Sequence, residues 1–308
     1  MRAGEPAGEG IRKSERGAVA ATLLASLLFA SQYVVIKTGL GSFDPLMFGA
    51  MTMTVGGLLA FLVVHRRRGV DRRIFRHWEV WAGALISVVM ISCQYIGLTM
   101  TSASVGGLIV GSNIIFVVPL SVVLFREPLG RGRAIGLALG LLGLVTITTG
   151  WDADSLDTGM FMGDLLLLVA SFCIAANYPM TKLAVRHMGY DEWIMAFHLL
   201  SIAPLLALSL LAGGSYGADQ GVALAALYVG LLCTSLPTML WARGLRSITM
   251  ATSATVLLSE SVFAVIFGII LLGEPADLHT IAGAVLVFAA IFLVAYRPRG
   301  PTARPGER

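Results

Sequence analysis

Glu260 is the residue whose setting most directly suggests chemistry, because its carboxyl group stands inside an apolar run. The segment reads "TVLLSESVFAVIFGIILLGEP", with mostly apolar residues on both sides of the acid. A charge at the centre of a membrane helix costs about 2.5–3.5 kcal/mol on insertion scales. Because of this cost, we expect Glu260 to have a function. Two functional roles are expected for Glu260: to bind and release a proton, or to pair with the ammonium group of a substrate. The structural alternative is a protonated side chain that hydrogen-bonds a neighbouring helix.

Further polar or aromatic side chains lie inside other apolar runs. They carry amides, phenols, an indole and an imidazole that can hydrogen-bond a polar solute: Gln32, Tyr33, Gln94, Tyr95, Asn113, Asn177, Tyr178, His198 and Trp241. Each also has a structural interpretation, since polar groups in membrane helices often bond only a neighbouring helix, at about 0.6 kcal/mol on average. Trp241 suits an interfacial anchor equally well. For His198, a buried and hydrogen-bonded ring is favoured over a proton relay.

The composition places these residues in an integral membrane protein. The chain has 308 residues, of which 56% are hydrophobic and 13% charged, and its mean hydropathy is +0.83. Soluble domains carry about 25% charged residues. The net charge of +4 does not indicate nucleic-acid binding, because the basic residues lie between apolar spans. The three cysteines fall inside such spans without C-x-x-C spacing, so we expect neither disulfides nor a metal site.

Ten segments are long and apolar enough to cross a bilayer, for which about 20 residues are needed. The predicted spans are 17–37, 45–65, 78–98, 103–125, 133–150, 162–183, 191–212, 221–242, 250–272 and 278–296. The first span is too long for the apolar core of a signal peptide. The expected fold class is thus an all-α integral membrane protein with ten transmembrane helices.

The distribution of Lys and Arg predicts the orientation of these spans. With the N-terminus in the cytoplasm, only Lys37 of the 22 basic residues falls on the outer side. The outer loops instead contain acids, namely Asp44, Asp152, Asp154, Asp157, Asp219, Glu274 and Asp277. Because cytoplasmic loops are enriched in Lys and Arg, we expect both termini to be cytoplasmic.

The two halves of the chain resemble each other. "QYVVIK" at 32–37 is similar to "NYPMTK" at 177–182, and further matches recur at a constant separation: Gly97–Leu98 with Gly244–Leu245, Phe116 with Phe263, Glu127–Pro128 with Glu274–Pro275, and Gly136 with Gly283. Each half contains five spans, and an odd number inverts the second half relative to the first. The predicted units are an N-terminal tail (1–16), a first five-helix repeat (17–150), an outer linker (151–161), a second repeat (162–296) and a C-terminal tail (297–308). Inverted repeats are typical of secondary transporters, whose sites lie near the midplane.

Three stretches carry a family resemblance: "QYVVIK", "IGLTMTSASVGGLIVGSNIIFVVPLSVVLFREPLGRGRAIG" and "RGLRSITMATSATVLLSESVFAVIFGIILLGEPADLHTIAG". They resemble two EamA-type units of the drug/metabolite transporter superfamily over residues 18–297. The resemblance implies a ten-helix fold with a central cavity and export of amino acids or other small metabolites, as in bacterial exporters of aromatic amino acids. The family often has proline just after the position of Glu260. Here Ser261 and its repeat mate Ile114 stand instead, which moves the expected kink elsewhere, for instance to Pro119.

Counting along the spans at 1.5 Å per residue sorts the candidate residues by depth. Glu260 and its repeat mate Asn113 fall at the midplane. The pairs Gln32–Tyr33 and Gln94–Tyr95 lie toward the outer side, whereas Asn177, Tyr178 and Trp241 lie toward the cytoplasm. This order suits a pathway with two gates around a central site.

The expected function is that of a secondary transporter of the inner membrane that works by alternating access, and the family resemblance implies export of amino acids, aromatic or otherwise neutral. No Walker motif is present, so ATP is not expected to drive it directly; protons are the candidate coupling ion. Efflux of hydrophobic or cationic drugs is the alternative within transport. An intramembrane enzyme is the alternative of another class, but it would need His, Asp or Cys clustered at one depth.

We expect no catalytic residue and no cofactor, and only the bilayer and a small-molecule substrate as partners. The sequence does not predict an oligomeric state.

Overall fold

The computed structural model describes residues 7–41, 43–67, 69–125, 131–151, 159–217, 220–244, 256–257 and 259–295. Within these ranges the chain forms helices and short connections, without a β-strand. The helices are α1 (Ala7–Leu40), α2 (Pro45–Arg67), α3 (Trp78–Met100), α4 (Ala103–Gly111), α5 (Ile114–Phe125), α6 (Arg131–Thr149), α7 (Gly159–Ala184), α8 (Tyr190–Leu211), α9 (Gln220–Tyr228), α10 (Leu236–Gly244), α11 (Ser259–Leu272) and α12 (Leu278–Ala295). A 3-10 helix, Arg72–Arg76, precedes α3.

Six helical stretches are long and apolar enough to cross a membrane, and four shorter apolar helices accompany them. The long ones are Glu15–Leu40, Pro45–Arg67, Trp78–Met100, Met160–Thr181, Tyr190–Leu211 and Gln220–Trp241. The short ones are Ala103–Val117, Ala134–Ile147, Ser259–Leu272 and Leu278–Ala290. The prediction of an all-helical membrane protein is confirmed, whereas the count of ten spans and the orientation of the termini stay predictions.

The fourth predicted span, 103–125, is interrupted rather than continuous. Helix α4 ends at Gly111 and α5 begins at Ile114. The side chains at the break bond the preceding turn: Ser112 Oγ donates to Ile109 O at 2.6 Å and Asn113 Nδ2 to Val110 O at 3.1 Å. Such local bonds compete with helical ones. The interruption therefore lies before Pro119, the position predicted to kink, and Pro119 itself lies inside α5.

The eighth predicted span contains a π-helical segment, Val229–Ser235, between α9 and α10. The hydroxyl of Thr234 donates to Val229 O at 2.9 Å, five residues back, which matches the wider turn. Single π-helical turns inside α-helices occur frequently at functional sites. This irregularity alters which side chains share a face of the span.

Three pairs of helices that occupy equivalent positions in the two halves pack against each other and run antiparallel. Helix α2 packs on α8, α4 on α11 and α6 on α12. Along the first pair, Gly49 lies beside Leu205 and Gly57 beside His198, so the two helices run in opposite directions. Helix α3 packs on α7, and the mate of α3 (α9, the π-helical segment and α10) packs on α1. The third helix of each half thus packs on the first helix of the other half.

Glycines allow the closest of these contacts. A Cβ added to Gly107 would overlap the methyl group of Ala264, and one added to Gly143 would lie 2.9 Å from Gly283 O. Small residues at helix crossings let the backbones approach closely in membranes. Glycine therefore allows the close approach of helices at both the α4–α11 and the α6–α12 crossings.

Candidate functional site

The centre of the candidate site is a hydrogen bond between α1 and α11. Tyr33 donates its phenol hydrogen to Glu260 Oε1, at an O–O distance of 2.9 Å. Tyr33 is fully buried, and its ring packs against the backbone of Gly107, where a Cβ would lie 3.4 Å from the ring. Glu260, in the first turn of α11, keeps part of its surface accessible. The carboxyl group is therefore held by one described partner, and the residue as a whole is only partly buried.

No described basic side chain neutralises Glu260. The one ion pair found among the described residues joins Arg67 and Asp191 at 2.9 Å, far along the chain from α11. Lys37, the basic residue of α1 predicted on the outer side, instead donates to the carbonyl oxygen of Thr101. An acid without a compensating charge in an apolar bundle attracts a proton or a cationic group.

A second polar cluster lies next to this bond. Ser31 Oγ is 3.0 Å from the phenol oxygen of Tyr228 and 3.4 Å from Cys233 Sγ. Residues five apart lie far from each other around an α-helix of 3.6 residues per turn, but the π-helical segment brings Tyr228 and Cys233 to the same serine. Ser31 lies two residues before Tyr33 on α1, so this cluster is on the same helix as the Tyr33–Glu260 hydrogen bond. The sequence pattern did not point to Ser31 or Cys233.

Three aromatic rings meet toward the predicted cytoplasmic side. Tyr178 and Trp241 contact edge to face with centroids 6.4 Å apart, and Tyr190 contacts the same indole at 6.0 Å. Tyr178 also interacts electrostatically with Glu260, without a direct hydrogen bond between the two side chains among the described contacts. Tyr178 and Trp241 are thus brought together as an inner set, and Tyr190, at the start of α8, is a member that sequence reasoning missed.

The remaining amide candidates are dispersed among different helix contacts. Asn177 donates to Ser87 Oγ at 3.3 Å across the α3–α7 crossing, and Asn113 bonds the carbonyl of Val110. Gln94 is buried, whereas Gln32 is partly accessible. No hydrogen bond joins any of these amides to Glu260 in the described part of the chain.

Tyr95 and His198 lie in packed surroundings. The phenol of Tyr95 is 3.2 Å from Thr52 Oγ1, and its ring contacts Phe48 at 5.7 Å. His198 is buried, with Nδ1 3.3 Å from Ser235 Oγ. These contacts tie α3 to α2 and α8 to the π-helical segment, which supports a structural role for both side chains.

Glu274 is a further polar residue that the sequence placed only in an outer loop. Its carboxylate accepts hydrogen bonds from Ala103 N at 2.6 Å, Ser104 N at 2.8 Å and Ser104 Oγ at 2.6 Å. It thereby caps the N-terminus of α4, where free amides and the helix dipole favour negative charge. Its repeat mate Glu127 lies outside the described residues.

An apolar cleft of about 400 Å³ opens elsewhere on the bundle. It is lined by Phe116, Leu141, Leu144, Val145, Leu168, Val169 and Phe172. None of the candidate polar residues lines this cleft, so it offers a solute no hydrogen-bonding group.

The chain is similar in sequence to a known protein family and to several individual proteins. The model of the EamA-like transporter family matches residues 16–149 and again 161–296. A protein of Pseudomonas aeruginosa without a known function is 27% identical, covering 95% of this chain and 99% of its own length. An uncharacterized transporter of Bacillus subtilis is 25% identical, over 87% of this chain and 93% of its own.

Two further matches bear on function and fold. A protein of Salmonella typhimurium named as a probable amino-acid metabolite efflux pump is 25% identical, covering 88% of this chain and 92% of its own length. A crystal structure superposes with a TM-score of 0.66 at 17% identity, over 90% of this chain and 95% of the other. That likeness concerns the fold alone.

Proposed function

Because this chain belongs to the EamA-like transporter family, we propose that it is a secondary transporter that exports small metabolites by alternating access. Amino acids, aromatic or otherwise neutral, are the proposed substrates. The proposed location is the inner membrane, with ten spans and both termini in the cytoplasm. The units 17–150 and 162–296 are the two repeats that move relative to each other.

The observation that carries this proposal is the Tyr33–Glu260 hydrogen bond. It joins the first repeat to the second at the one described acid predicted at mid-depth, and it is the one hydrogen bond that the described residues offer this carboxyl group. Ionisable groups inside membranes mark substrate or ion pathways by default. A group shared by both repeats is suited to respond when the repeats shift.

An amino acid presents an ammonium group that Glu260 can bind as a charge-assisted hydrogen bond. Its carboxylate needs a neutral donor, for which Asn113 at the α4–α5 break is the candidate. The name of the Salmonella typhimurium relative supports amino acids as the class. A proton on Glu260 would compete with the ammonium group, which would link export to the proton gradient.

Efflux of organic cations is the second candidate function, and a specific observation favours it. Glu260 has no ion-pair partner among the described residues, and the aromatic residue Tyr33 hydrogen-bonds to it. An acid beside aromatic rings also attracts a cation without a carboxylate. The two functions differ in whether the substrate must carry a carboxylate.

The test is efflux from proteoliposomes loaded with the twenty amino acids, with and without an imposed pH gradient. We expect selective release that the gradient alters and that Glu260→Gln abolishes. The matched control is Glu15→Gln, the same change at an exposed acid of α1, which should behave as wild type. Release that survives Glu260→Gln would make Glu260 a structural residue. Absence of amino-acid release, with release of a loaded quaternary amine instead, would favour the second function.

A further inference from the structure

The connection between α2 and α3 contains a basic turn, the 3-10 helix Arg72–Arg76, which the proposed function does not use. The carboxylate of Asp71 accepts a hydrogen bond from Arg73 N at 2.8 Å and caps the turn. Ile74 is buried, with 5% of its surface accessible, and belongs to an apolar cluster of the bundle. The basic turn is therefore a packed element with a defined orientation.

Three arginine side chains leave this turn and are exposed: Arg72, Arg73 and Arg76. A 3-10 helix has three residues per turn, so Arg73 and Arg76 lie on the same face. None of the three forms an ion pair within the described residues. Guanidinium groups bind phosphate oxygens through charge-assisted and often bidentate hydrogen bonds. Two of them on one face therefore suit a phosphate group.

The second half of the chain adds a further arginine to this surface. The imidazole rings of His77 and His187 stack with their centroids 4.7 Å apart, which brings the end of the basic turn beside the connection between α7 and α8. Arg186, the neighbour of His187, is exposed and has no ion-pair partner in the described part of the chain. Of the two acids next to the turn in sequence, Asp71 is exposed and caps it, whereas Glu79 is buried. Positive charge thus predominates on the exposed surface.

An apolar stripe on α3 begins directly beside the basic turn. Its members are Trp78, Trp81, Leu85 and Val89, which are 60%, 56%, 66% and 40% exposed. Their spacing of three and four residues places them on one face of the helix. The indole of Trp81 donates to Phe75 O at 2.9 Å, which joins the stripe to the turn. Because tryptophan is enriched where a membrane meets water, the stripe leads from the headgroup region into the apolar part of the bilayer.

We propose that the basic turn and the apolar stripe together bind an anionic phospholipid of the cytoplasmic leaflet. The phosphate contacts the guanidinium groups of Arg73 and Arg76, and an acyl chain lies along Trp81 and Leu85. Basic clusters that directly adjoin a membrane helix attract anionic lipids. A free phosphate would use the arginines but not the stripe, so the combination of the two favours a lipid. The leaflet follows from the predicted orientation, and the lipid site holds whatever substrate the protein carries.

The test is thermal unfolding of the delipidated full-length protein in a neutral detergent. Phosphatidylglycerol is titrated against phosphatidylcholine with the same acyl chains and against soluble glycerol phosphate. A ligand that binds only the folded state raises Tm in a saturable way. We expect phosphatidylglycerol to raise Tm, and phosphatidylcholine and glycerol phosphate to leave it unchanged.

Two variants test the headgroup contact. In Arg73→Gln/Arg76→Gln, the concentration of phosphatidylglycerol that gives half of the rise should increase roughly tenfold or more, because hydrogen bonds to charged groups are lost. The matched control is Arg16→Gln/Arg131→Gln, which removes the same charge at two exposed arginines outside this surface and should respond as wild type. If Arg73→Gln/Arg76→Gln does not fold, Arg76→Gln is judged by the same criterion.

A second comparison tests the acyl chain. Leu85→Ala removes part of the apolar stripe and keeps the basic turn, so it should weaken the response to phosphatidylglycerol. Leu211→Ala, at a leucine that is 85% exposed at the other end of the bundle's α8, should not.

The opposite results would overturn the proposal. An equal rise with phosphatidylcholine would show that the headgroup is not recognised, and an equal rise with glycerol phosphate would show binding of a free phosphate instead. An unchanged response of Arg73→Gln/Arg76→Gln, or an equal loss in the Arg16→Gln/Arg131→Gln control, would mean that this surface is not the site. Lipid binding is read without transport, so failure of the export assay leaves this test intact.

Discussion

The phenol of Tyr33 donates a hydrogen bond to the carboxyl group of Glu260 across 227 positions of sequence, with the two oxygens 2.9 Å apart. The bond connects α1 of the first repeat with α11 of the second. It is the only hydrogen bond that the Glu260 side chain makes within the described residues.

Tyr33→Phe removes the donor and keeps the ring that packs on Gly107. Hydrogen bonds to charged groups contribute about 1.5–3 kcal/mol, equivalent to roughly 10–100-fold in rate or affinity. We expect the rate of export by Tyr33→Phe in proteoliposomes to drop by roughly 10–100-fold, while the protein stays folded. Tyr216→Phe, at a partly exposed tyrosine, is the control. Wild-type kinetics in Tyr33→Phe would show that the bond does not tune Glu260.

Gly107→Ala introduces a methyl group where Ala264 already stands. Overpacking of this kind typically costs about 1–3 kcal/mol, and here it also pushes α4 away from α11 and Tyr33. We expect a lower Tm in detergent. Gly17→Ala is the matched control, because no atom lies within 4 Å of its added Cβ and alanine favours a helix by about 1 kcal/mol. A Gly107→Ala protein as stable as Gly17→Ala would contradict the packing described.

Glu274→Gln keeps the size of the cap but removes its charge and one acceptor oxygen. Loss of a helix cap costs about 0.5–2 kcal/mol, so the unfolding temperature should drop. Asp277→Asn alters an exposed acid in the same loop and should leave Tm unchanged. The comparison of the two melting curves isolates the cap, and equal curves would rule out a stabilising role for Glu274.

Single cysteines test the orientation. In a background without Cys93, Cys173 and Cys233, Asp277→Cys should react with a membrane-impermeant maleimide added to intact cells. Arg73→Cys should react only after the membrane is opened, because basic loops stay in the cytoplasm. Both positions are exposed, so burial does not bias the comparison. The reverse labelling pattern would invert the topology.

The sequence alone predicted the class of protein and the repeat. Hydropathy and the distribution of Lys and Arg are properties of composition and order, and the bilayer responds to them segment by segment. Irregular elements were harder to predict. The break at Gly111–Ile114 arises where Ser112 and Asn113 bond the preceding turn, and such local competition leaves no clear hydropathy signal.

Only the tertiary structure decided which polar groups meet. Glu260 could be singled out from its apolar flanks, but its partner Tyr33 was one of many candidates, and no pattern joined the two. Asp164 near the start of α7 gave no sign of burial, because burial depends on how closely Gly97 and Gly163 bring α3 and α7 together. Hydropathy is a property of each segment, whereas a site is a property of the distances between segments. Packing of small residues at the helix crossings sets those distances.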